Sequence, residues 1–414
     1  MADFAAVSGH WSDIQDAVDL AAAAGVGNNA TIPAGTHDFV DVDETWAAHI
    51  GVTVPAGTNV IGAGELGAGF DETDQVANWL TVLELPWDMP SDIGGHEKWF
   101  YVDGDEDPAK PTRISGFAMV GYRYTDNEAT NMYEGVRAES VIDLRVDHLL
   151  LRDIAGNGLI LFNEKLDDVL GRGVIDHCKL INSAGIPAPY DERTVGYGVY
   201  PRLSWSSSFW DDDRVNLIGM YDRTLFVEDC YFQRWRHCIG SNQGAHYVFR
   251  YNTIKHDWGY GSGGCVDAHG QENVANTATM VVEIYNNTIT DIIMPRVYTQ
   301  VGIGTRGGCG VIWNNTIDSP YYGIYLSYEA IVDKYAIHDL YLWDNTITGT
   351  SVPFATAGPL VEDHNYFLRA PNMEDDGFVY NPYTYPHPLV YEDPPPPPPN
   401  PPLPVLFAFR RMRE

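Results

Sequence analysis

The tripeptide Asn-Thr-Ile occurs at four places in the second half of this chain, at residues 252–254, 287–289, 315–317 and 345–347. Successive copies begin 35, 28 and 30 residues apart, and repeats of this length indicate a solenoid of stacked coils. Apolar residues such as Val282 and Ile284 alternate before a copy, so short strands with an apolar interior are predicted. The alternative is a series of antiparallel hairpins with Asn turns, although hairpin loops more often carry Asn-Gly.

Polar residues occupy the matching position in earlier coils, which extends the repeat towards the N-terminus. The predicted column contains His148, His177, Asp229, Asn252, Asn287, Asn315 and Asn345. Asn tolerates the left-handed backbone conformation that a sharp corner requires, and stacked Asn amides bond to one another between coils. The 52-residue step from His177 to Asp229 corresponds either to one coil with a long insertion or to two coils.

The N-terminal region predicts a cap for the solenoid. Residues 12–15, Ser-Asp-Ile-Gln, read as a capping box that opens an Ala-rich amphipathic helix over residues 16–24, and Gly25 ends it. Such a helix covers the open end of the coils and protects the edge backbone from self-association.

With these features the chain resembles the pectate-lyase-like family of right-handed parallel β-helices, which includes polysaccharide lyases and viral tailspikes. The resemblance covers roughly residues 10–370. It implies an all-β, right-handed, single-stranded parallel β-helix with an N-terminal capping α-helix and an extended Pro-rich C-terminal tail. It says much less about chemistry, because function depends on the site and not on the fold. A homotrimer is implied only by the likeness to tailspikes.

Three segments are predicted from these patterns. Residues 1–40 form the cap helix and first strand, residues 41–370 form the β-helix, and residues 371–414 form a Pro- and Tyr-rich tail. Long insertions are predicted near residues 85–112 and 183–226. Loops on a rigid scaffold often carry binding residues.

The tail has a distinctive composition. Residues 394–399 are six consecutive prolines, and an apolar segment followed by Arg410 and Arg411 ends the chain. We expect a stiff polyproline II rod that presents a docking peptide to another structural subunit. The alternative is a disordered tail.

The net charge of the chain limits the classes of partner that it can bind. Against 57 acidic residues stand 25 basic ones, a net charge of −32, which is typical of proteins that work in concentrated salt. The alternative is an acidic secreted protein at ordinary salt. Either way, binding to nucleic acid or to an anionic membrane by bulk charge is disfavoured.

Targeting and cysteine patterns add expectations about localisation and cofactors. No apolar run reaches membrane-spanning length, and no signal sequence is recognisable at the start. A virion protein needs none because lysis releases it; an extracellular or cell-surface location is the other expectation. Five cysteines show no metal-ligand spacing and their odd number argues against a complete disulfide framework. Neither a metal site nor a cofactor is therefore expected, apart from Ca²⁺ if the chain is a lyase.

The strands that precede the Asn phrases predict a site. They end at comparable places, so stacking about 4.8 Å apart puts Asn242, His269 and Arg306 in one exterior column, with Asp267 one pleat away. The candidate catalytic residues are these last three and Arg250. A His beside an acid exchanges protons near neutral pH, and an Arg neutralises developing negative charge. The alternative is a polar column that serves solubility alone.

Aromatic and polar residues around this column are candidates for substrate binding, because aromatic faces beside polar groups suit sugar rings. The predicted set is Asn242, Gln243, His246, Trp205, Trp210, Trp258 and Tyr260. Equally, the aromatics could pack the loops onto the coils or form a trimer interface.

The resemblance to the family implies two kinds of catalysis, and the sequence departs from both. Lyases of this fold use a Lys or Arg base, often with Ca²⁺, but Gln243 and Ala268 stand where the basic pair is expected. Glycoside hydrolases of this fold use clustered Asp residues on coil strands, whereas residues 211–213, three Asp, lie in an insertion. The leading hypothesis is therefore a virion tail spike or fibre, or a cell-surface β-helix, that binds surface glycans. The competing hypotheses are a secreted polysaccharide lyase or glycoside hydrolase, and a structural filament or coat subunit.

Overall fold

The computed structural model describes residues 1–40, 51–65, 76–85, 98–104, 110–121, 133–154, 156–162, 171–182, 196–202, 214–255, 263–274, 277–290, 300–318, 321–350 and 352–391. Its strands pair in parallel from coil to coil. Each full coil contributes one strand to each of three faces, so the chain is a right-handed parallel β-helix, as predicted. Strands are numbered β1 to β30 in chain order.

Face 1 contains β1 (Asp3–Ala5), β2 (Asn28–Thr31), β5 (Thr58–Ile61), β8 (Thr112–Val120), β10 (Leu144–Arg152), β12 (Gly173–Asp176), β15 (Leu225–Glu228), β18 (His246–Arg250), β21 (Val281–Tyr285), β24 (Gly308–Trp313), β27 (Ile337–Trp343) and β30 (Tyr366–Phe367).

Face 2 contains β3 (Gly35–Asp38), β6 (Thr81–Glu84), β13 (Lys179–Ile181), β16 (Tyr231–Gln233), β19 (Thr253–Lys255), β22 (Thr288–Thr290), β25 (Thr316–Asp318) and β28 (Thr346–Thr348). The long strands β8 and β10 continue from face 1 into face 2.

Face 3 is a separate sheet of β4 (Val52–Pro55), β7 (Lys98–Asp103), β9 (Tyr133–Glu139), β11 (Gly156–Phe162), β14 (Tyr197–Pro201), β17 (His237–Ser241), β20 (Gly263–Ala268), β23 (Gln300–Thr305), β26 (Tyr322–Ser327) and β29 (Val352–Ala357). Strands β7 and β14 lie where long insertions were predicted, so part of each predicted insertion belongs to the coils.

The interior is filled by apolar side chains that repeat in register. On face 3 the paired column contains Val136, Leu159, Val199, Ile239, Val266, Ile303 and Ile324, all buried. Stacking one β-branched or aliphatic side chain above the next removes the interior from water along the whole solenoid. All five cysteines are free and buried, so they act as small apolar residues of the interior.

A helix covers the N-terminal end, but it begins earlier than predicted. α1 spans Trp11–Ala24, and His10 is its N-cap, with the side chain accepting a hydrogen bond from Ser12 N. The capping box predicted at residues 12–15 is wrong, because Ser12 already lies inside the helix. Gly25 ends α1 with a φ of 111°, as expected for a C-cap glycine. The buried face of α1, which includes Ile14 and Val18, packs on the core.

The corner between faces 1 and 2 corrects part of the predicted polar column: His148, His177 and Asp229 lie at the corner, but the four Asn lie one residue after it. The left-handed residues are His148, His177, Asp229, Tyr251, Asn286, Asn314 and Asp344, with φ between 49° and 58°. The register aligns them with one another, so each Asn of the repeated phrase follows the strained residue instead of occupying it.

The Asn residues of the phrase form a buried ladder. Asn252 Nδ2 donates to Asn287 Oδ1 at 3.1 Å, and Asn287 Nδ2 donates to Asn315 Oδ1 at 3.0 Å. Asn315 Nδ2 continues to Asn345 Oδ1 at 2.9 Å. The predicted amide stacking is confirmed, and in earlier coils the ladder position holds Cys178 and Cys230.

The 52-residue step is a single coil. Ile175 of β12 pairs directly with Val227 of β15, so the residues between them add no further coil to face 1. Strand β14 lies within this step and is the face 3 strand of this coil. It carries Tyr197 and Tyr200.

After the last coil the chain turns back along the outside of face 1. We call residues 380–391 the C-terminal strap; a short helix, α2 (Pro388–Tyr391), ends it. Tyr380 packs edge-on to Trp313 and Trp343, and His387 lies 4.7 Å from the Phe226 ring. The polyproline run and the apolar end of the tail lie outside the described residues. No described helix is both long and apolar enough to span a membrane.

Candidate functional site

The candidate site lies on the outer side of face 3, where β20 and its neighbours meet. Val266 and Ala268 point into the core, so Asp267 and His269 point outwards, as the alternation of a strand predicts. These outward side chains are nevertheless covered, because Asp267 and His269 are each only 2% exposed. The Tyr197 ring, 5.7 Å from the His269 ring, is part of what covers them.

The predicted alignment of the strand ends is confirmed. Ser241 pairs with Ala268, and Ala268 pairs with Thr305. The residues that follow are Asn242, His269 and Arg306, so these three share one column in successive coils. Arg202 occupies the same column one coil earlier, through its bridge to Asn242.

Asp267 is the centre of a charged cluster. Its Oδ2 lies 2.7 Å from Arg306 Nη2 and 3.0 Å from His269 Nε2. His237, from the preceding coil, places its Nε2 3.4 Å from the same oxygen. Burial alone would raise the pKa of Asp267, but Arg306 and the two imidazoles hold that pKa well below its usual range. The aspartate is therefore an anion at neutral pH.

His269 lies between two carboxylates. Its Nδ1 is 2.9 Å from Glu272 Oε1, on the side away from Asp267. Burial by itself lowers the pKa of His269, yet the nearby carboxylates of Asp267 and Glu272 raise it above its ordinary value. The ring can therefore hold a proton close to neutral pH.

Two loops hold the cluster in place. The segment after β20 is bonded to the segment after β26: Gln271 N donates to Glu329 O at 2.6 Å, and Gln271 Oε1 accepts from Val332 N at 2.8 Å. A Cβ on Gly270 would lie 2.2 Å from Glu329 O, so only glycine permits this approach. Glu329 in turn binds Arg306 Nη1 at 2.8 Å.

Tyrosines border the cluster on both sides along face 3. Gly240, Asp267, Gly304 and Tyr325 are consecutive in one outward column. Tyr325 stacks on Tyr322 with 5.0 Å between ring centroids, and both rings are half-buried. Two coils before Asp267, Tyr197 and Tyr200 lie 4.7 Å apart. Gly240 adds no side chain to the column, and the Tyr197 ring packs over it, because a Cβ on Gly240 would lie 3.2 Å from that ring.

Comparison with known proteins agrees with this architecture. No protein-family model matches the chain, and no curated protein matches it. Among similar solved structures are three variants of the tailspike protein of E. coli bacteriophage HK620, each in complex with a pentasaccharide, with TM-scores of 0.51, 0.51 and 0.52. Their sequence identities to this chain are 14%, 15% and 14%.

The likeness shows the fold. The matches cover 84–86% of this chain, which spans 56–61% of the length of the tailspike chains.

Two predicted residues belong elsewhere. Arg250 lies on face 1, where its Nη2 and Nε donate to Glu228 Oε2 at 2.6 and 2.7 Å. It also donates to Tyr383 O and Thr384 O of the C-terminal strap. His246 begins the same strand, β18, and lies 3.9 Å from Glu283. Both are outward-facing residues of face 1, so grouping them with Asp267 was wrong.

The remaining binding predictions have different outcomes. Asn242 and Gln243 lie next to the cluster but are buried, and Gln243 Oε1 accepts a 2.6 Å hydrogen bond from Arg202 Nε. Trp205, Trp210, Trp258 and Tyr260 lie outside the described residues.

Several site residues were not predicted from the sequence, namely Glu272, Glu329, Tyr322 and Tyr325. The aligned strands include residues 323–326, which contain Tyr325, so extending the site itself into this coil would have found the tyrosines. Nothing in the sequence marks the two glutamates, because loops bring them to the cluster.

Proposed function

We propose that this chain is a glycan-binding β-helix of the tail spike or tail fibre type, whose face 3 recognises a surface polysaccharide. The observation that carries the proposal is the in-register series on this face. Paired tyrosines flank a cluster of ionic groups, and the whole series follows the axis of the solenoid. An elongated chain of sugars fits an elongated surface.

The chemistry of the series suits sugars. Tyrosine rings offer apolar faces to the CH groups of a sugar, and their hydroxyls bond to its hydroxyls. Arg306, whose side chain is 24% exposed, is the cation of the cluster that a ligand reaches most directly. Charged donors and acceptors held by other side chains are pre-organised, which lowers the entropic cost of binding.

Charge favours neutral glycans over polyanionic ones. Three carboxylates, Asp267, Glu272 and Glu329, surround the single guanidinium of Arg306, and the whole chain carries −32. Repulsion of an acidic polysaccharide would weaken only in concentrated salt. The acidic composition itself supports the proposal of a protein adapted to such salt.

Three further properties belong to this proposal. A homotrimer and a location in the virion or at a cell surface rest on the likeness to tailspikes. The C-terminal strap brings the chain back along face 1 before the polyproline run begins. We propose that the polyproline run is a rod, and that the residues after it dock to another structural subunit.

Hydrolysis of the glycan is the second candidate function, and one pair of residues favours it. On strand β9, Arg137 Nη2 lies 2.7 Å from Glu139 Oε1, and its Nη1 lies 3.6 Å from Glu134 Oε2. Burial raises the pKa of Glu134 to about 7. Glycosidases use a general acid of raised pKa together with a second carboxyl group, and Glu139 is the candidate for the second.

A lyase and a structural subunit have weaker support. A lyase, with Ca²⁺ as its cofactor, would need a basic pair, whereas Gln243 and Ala268 occupy the positions where that pair is expected. A filament or coat subunit would use face 3 for assembly with its neighbours.

Binding and product formation separate these functions. The purified chain is applied to immobilised surface polysaccharides, and the soluble fraction is assayed for new reducing ends and for unsaturated uronates. Saturable binding without products supports the receptor role. New reducing ends that disappear in Glu134→Gln support hydrolysis, whereas no binding to any polysaccharide across dilute and molar salt contradicts both.

A further inference from the structure

We propose that His237, Asp267 and His269 form a binding site for a divalent first-row transition metal ion, with Zn²⁺ favoured. This inference goes beyond glycan recognition, and a metal here would fix the polar floor of face 3 whether or not a sugar binds. The three residues come from adjacent coils, so their sequence spacing carries no metal signature.

The distances between the donor atoms fit such an ion. Asp267 Oδ2 is 3.0 Å from His269 Nε2 and 3.4 Å from His237 Nε2, and all three donor atoms lie within 4.8 Å of one another. Tetrahedral Zn²⁺ with bonds of about 2.0–2.1 Å requires donor atoms roughly 3.3 Å apart. Little movement is needed to place an ion between them.

The orientation of His269 supports the site independently. Its side chain is 3% exposed, and its Nε2 lies 3.0 Å from Asp267 Oδ2 without the geometry of a hydrogen bond. The other ring nitrogen, Nδ1, faces Glu272 Oε1 at 2.9 Å. Metal-binding histidines commonly donate the second N–H to a carboxylate, which directs the free lone pair at the ion. His269 has this arrangement.

The local charge also accommodates a cation. With both imidazoles neutral, the carboxylates of Asp267, Glu272 and Glu329 outnumber the guanidinium of Arg306 by two charges. Arg306 is shared among all three acids, at 2.7, 3.7 and 2.8 Å, so it does not neutralise Asp267 alone. A divalent ion would balance the remainder.

The donor set selects the type of metal. Two imidazole nitrogens and one carboxylate suit Zn²⁺ and its neighbours, whereas Ca²⁺ takes oxygen ligands. Asn242 is a candidate for a fourth ligand. Its Oδ1 is buried, has no hydrogen-bond partner among the described residues, and belongs to the column of His269 one coil away.

The test uses the full chain without an affinity tag, stripped with EDTA and titrated with Zn²⁺ by calorimetry and with Co²⁺ by visible absorption, in the absence of glycan. We expect one ion per chain and the absorption of four-coordinate Co²⁺. His269→Gln removes stoichiometric binding, and Glu272→Gln weakens Zn²⁺ binding by about 10–100-fold. The matched control is His338→Gln, because His338 also pairs with an adjacent acid, Asp339, at 2.5 Å, but outside the cluster.

Two results would overturn the proposal. One is that the wild type binds no stoichiometric ion; the other is that Glu272→Gln and His338→Gln bind Zn²⁺ as tightly as the wild type. If His269→Gln does not fold, Glu272→Gln still decides, because Glu272 is 40% exposed and its loss leaves the coils intact. Glycan binding is not measured, so the outcome is independent of the proposed function.

Discussion

Arg306 Nη2 lies 2.7 Å from Asp267 Oδ2, although the two residues are 39 positions apart in the sequence. The contact exists because the two residues stand on adjacent coils, one in the middle of an outward column and one at a strand end. The pair links a fully buried anion to a cation that reaches the surface. Arg306 therefore connects the buried aspartate to the surface of face 3.

The Asn ladder is expected to make a large contribution to stability. Asn287→Ala removes the acceptor for Asn252 N, at 3.0 Å, and the donor to Phe249 O, at 2.8 Å. Both backbone groups are then buried without a partner, so we expect a loss of about 2–5 kcal/mol in the free energy of unfolding. Urea titration measures the loss. Asn345→Ala is the control, because Asn345 is half-buried at the end of the ladder. This variant should lose less of the free energy of unfolding than Asn287→Ala. Equal losses in the two variants would contradict the account.

The C-terminal strap is expected to depend on Arg250. Arg250→Met leaves Glu228 as a buried carboxylate without its cation, since both side chains are 0% exposed. The expected loss of stability is about 3–5 kcal/mol. Tryptophan fluorescence should change with it, because Tyr380 of the strap packs against Trp313 and Trp343.

The control for Arg250 is Arg152→Met. Arg152 lies 3.5 Å from Asp153 in a partly exposed pair. Its replacement is expected to lower the free energy of unfolding by less than about 1 kcal/mol. If the two variants lose the same amount, the buried pair is not what holds the strap.

The strap is also expected to loosen in mild acid. Burial, followed by the charge of Arg250, lowers the pKa of His387 from 6.5 to about 4. The unfolded chain therefore takes up this proton first as the pH falls below about 6.5. Stability is lost between that pH and about 4, and it is restored as the pH rises. The melting temperature should fall less between pH 7 and pH 5 for His387→Gln than for the wild type. An equal fall in both proteins would exclude His387 as the cause.

The sequence predicted the fold because each Asn-Thr-Ile phrase marks the same corner of a coil. The error of one residue in the column has a physical reason. The doublets Asn286-Asn287 and Asn314-Asn315 offer two residues that each suit a left-handed corner, and only the backbone angles show that the first adopts it. The corner and the ladder are adjacent, and the repeat alone does not separate them.

The candidate site was predicted in part for a similar reason. Register follows from counting residues along strands, so the column of His269 and Arg306 could be found. Burial depends on what covers a strand, and Tyr197 and the loop containing Glu329 come from other coils. Arg250 was misassigned because its strand, β18, belongs to face 1, whereas Asp267 lies on face 3.

The most direct test of the account compares glycan affinity among variants of face 3. A surface polysaccharide that binds the wild type is titrated against Tyr325→Ala and Arg306→Gln, with Tyr251→Ala as the control. Tyr251 is an exposed tyrosine, at 36%, on the corner between faces 1 and 2. We expect each face 3 variant to bind at least about tenfold more weakly, or about 1.4 kcal/mol, and the control to bind as the wild type does. Equal affinity in all four proteins would contradict glycan recognition by face 3.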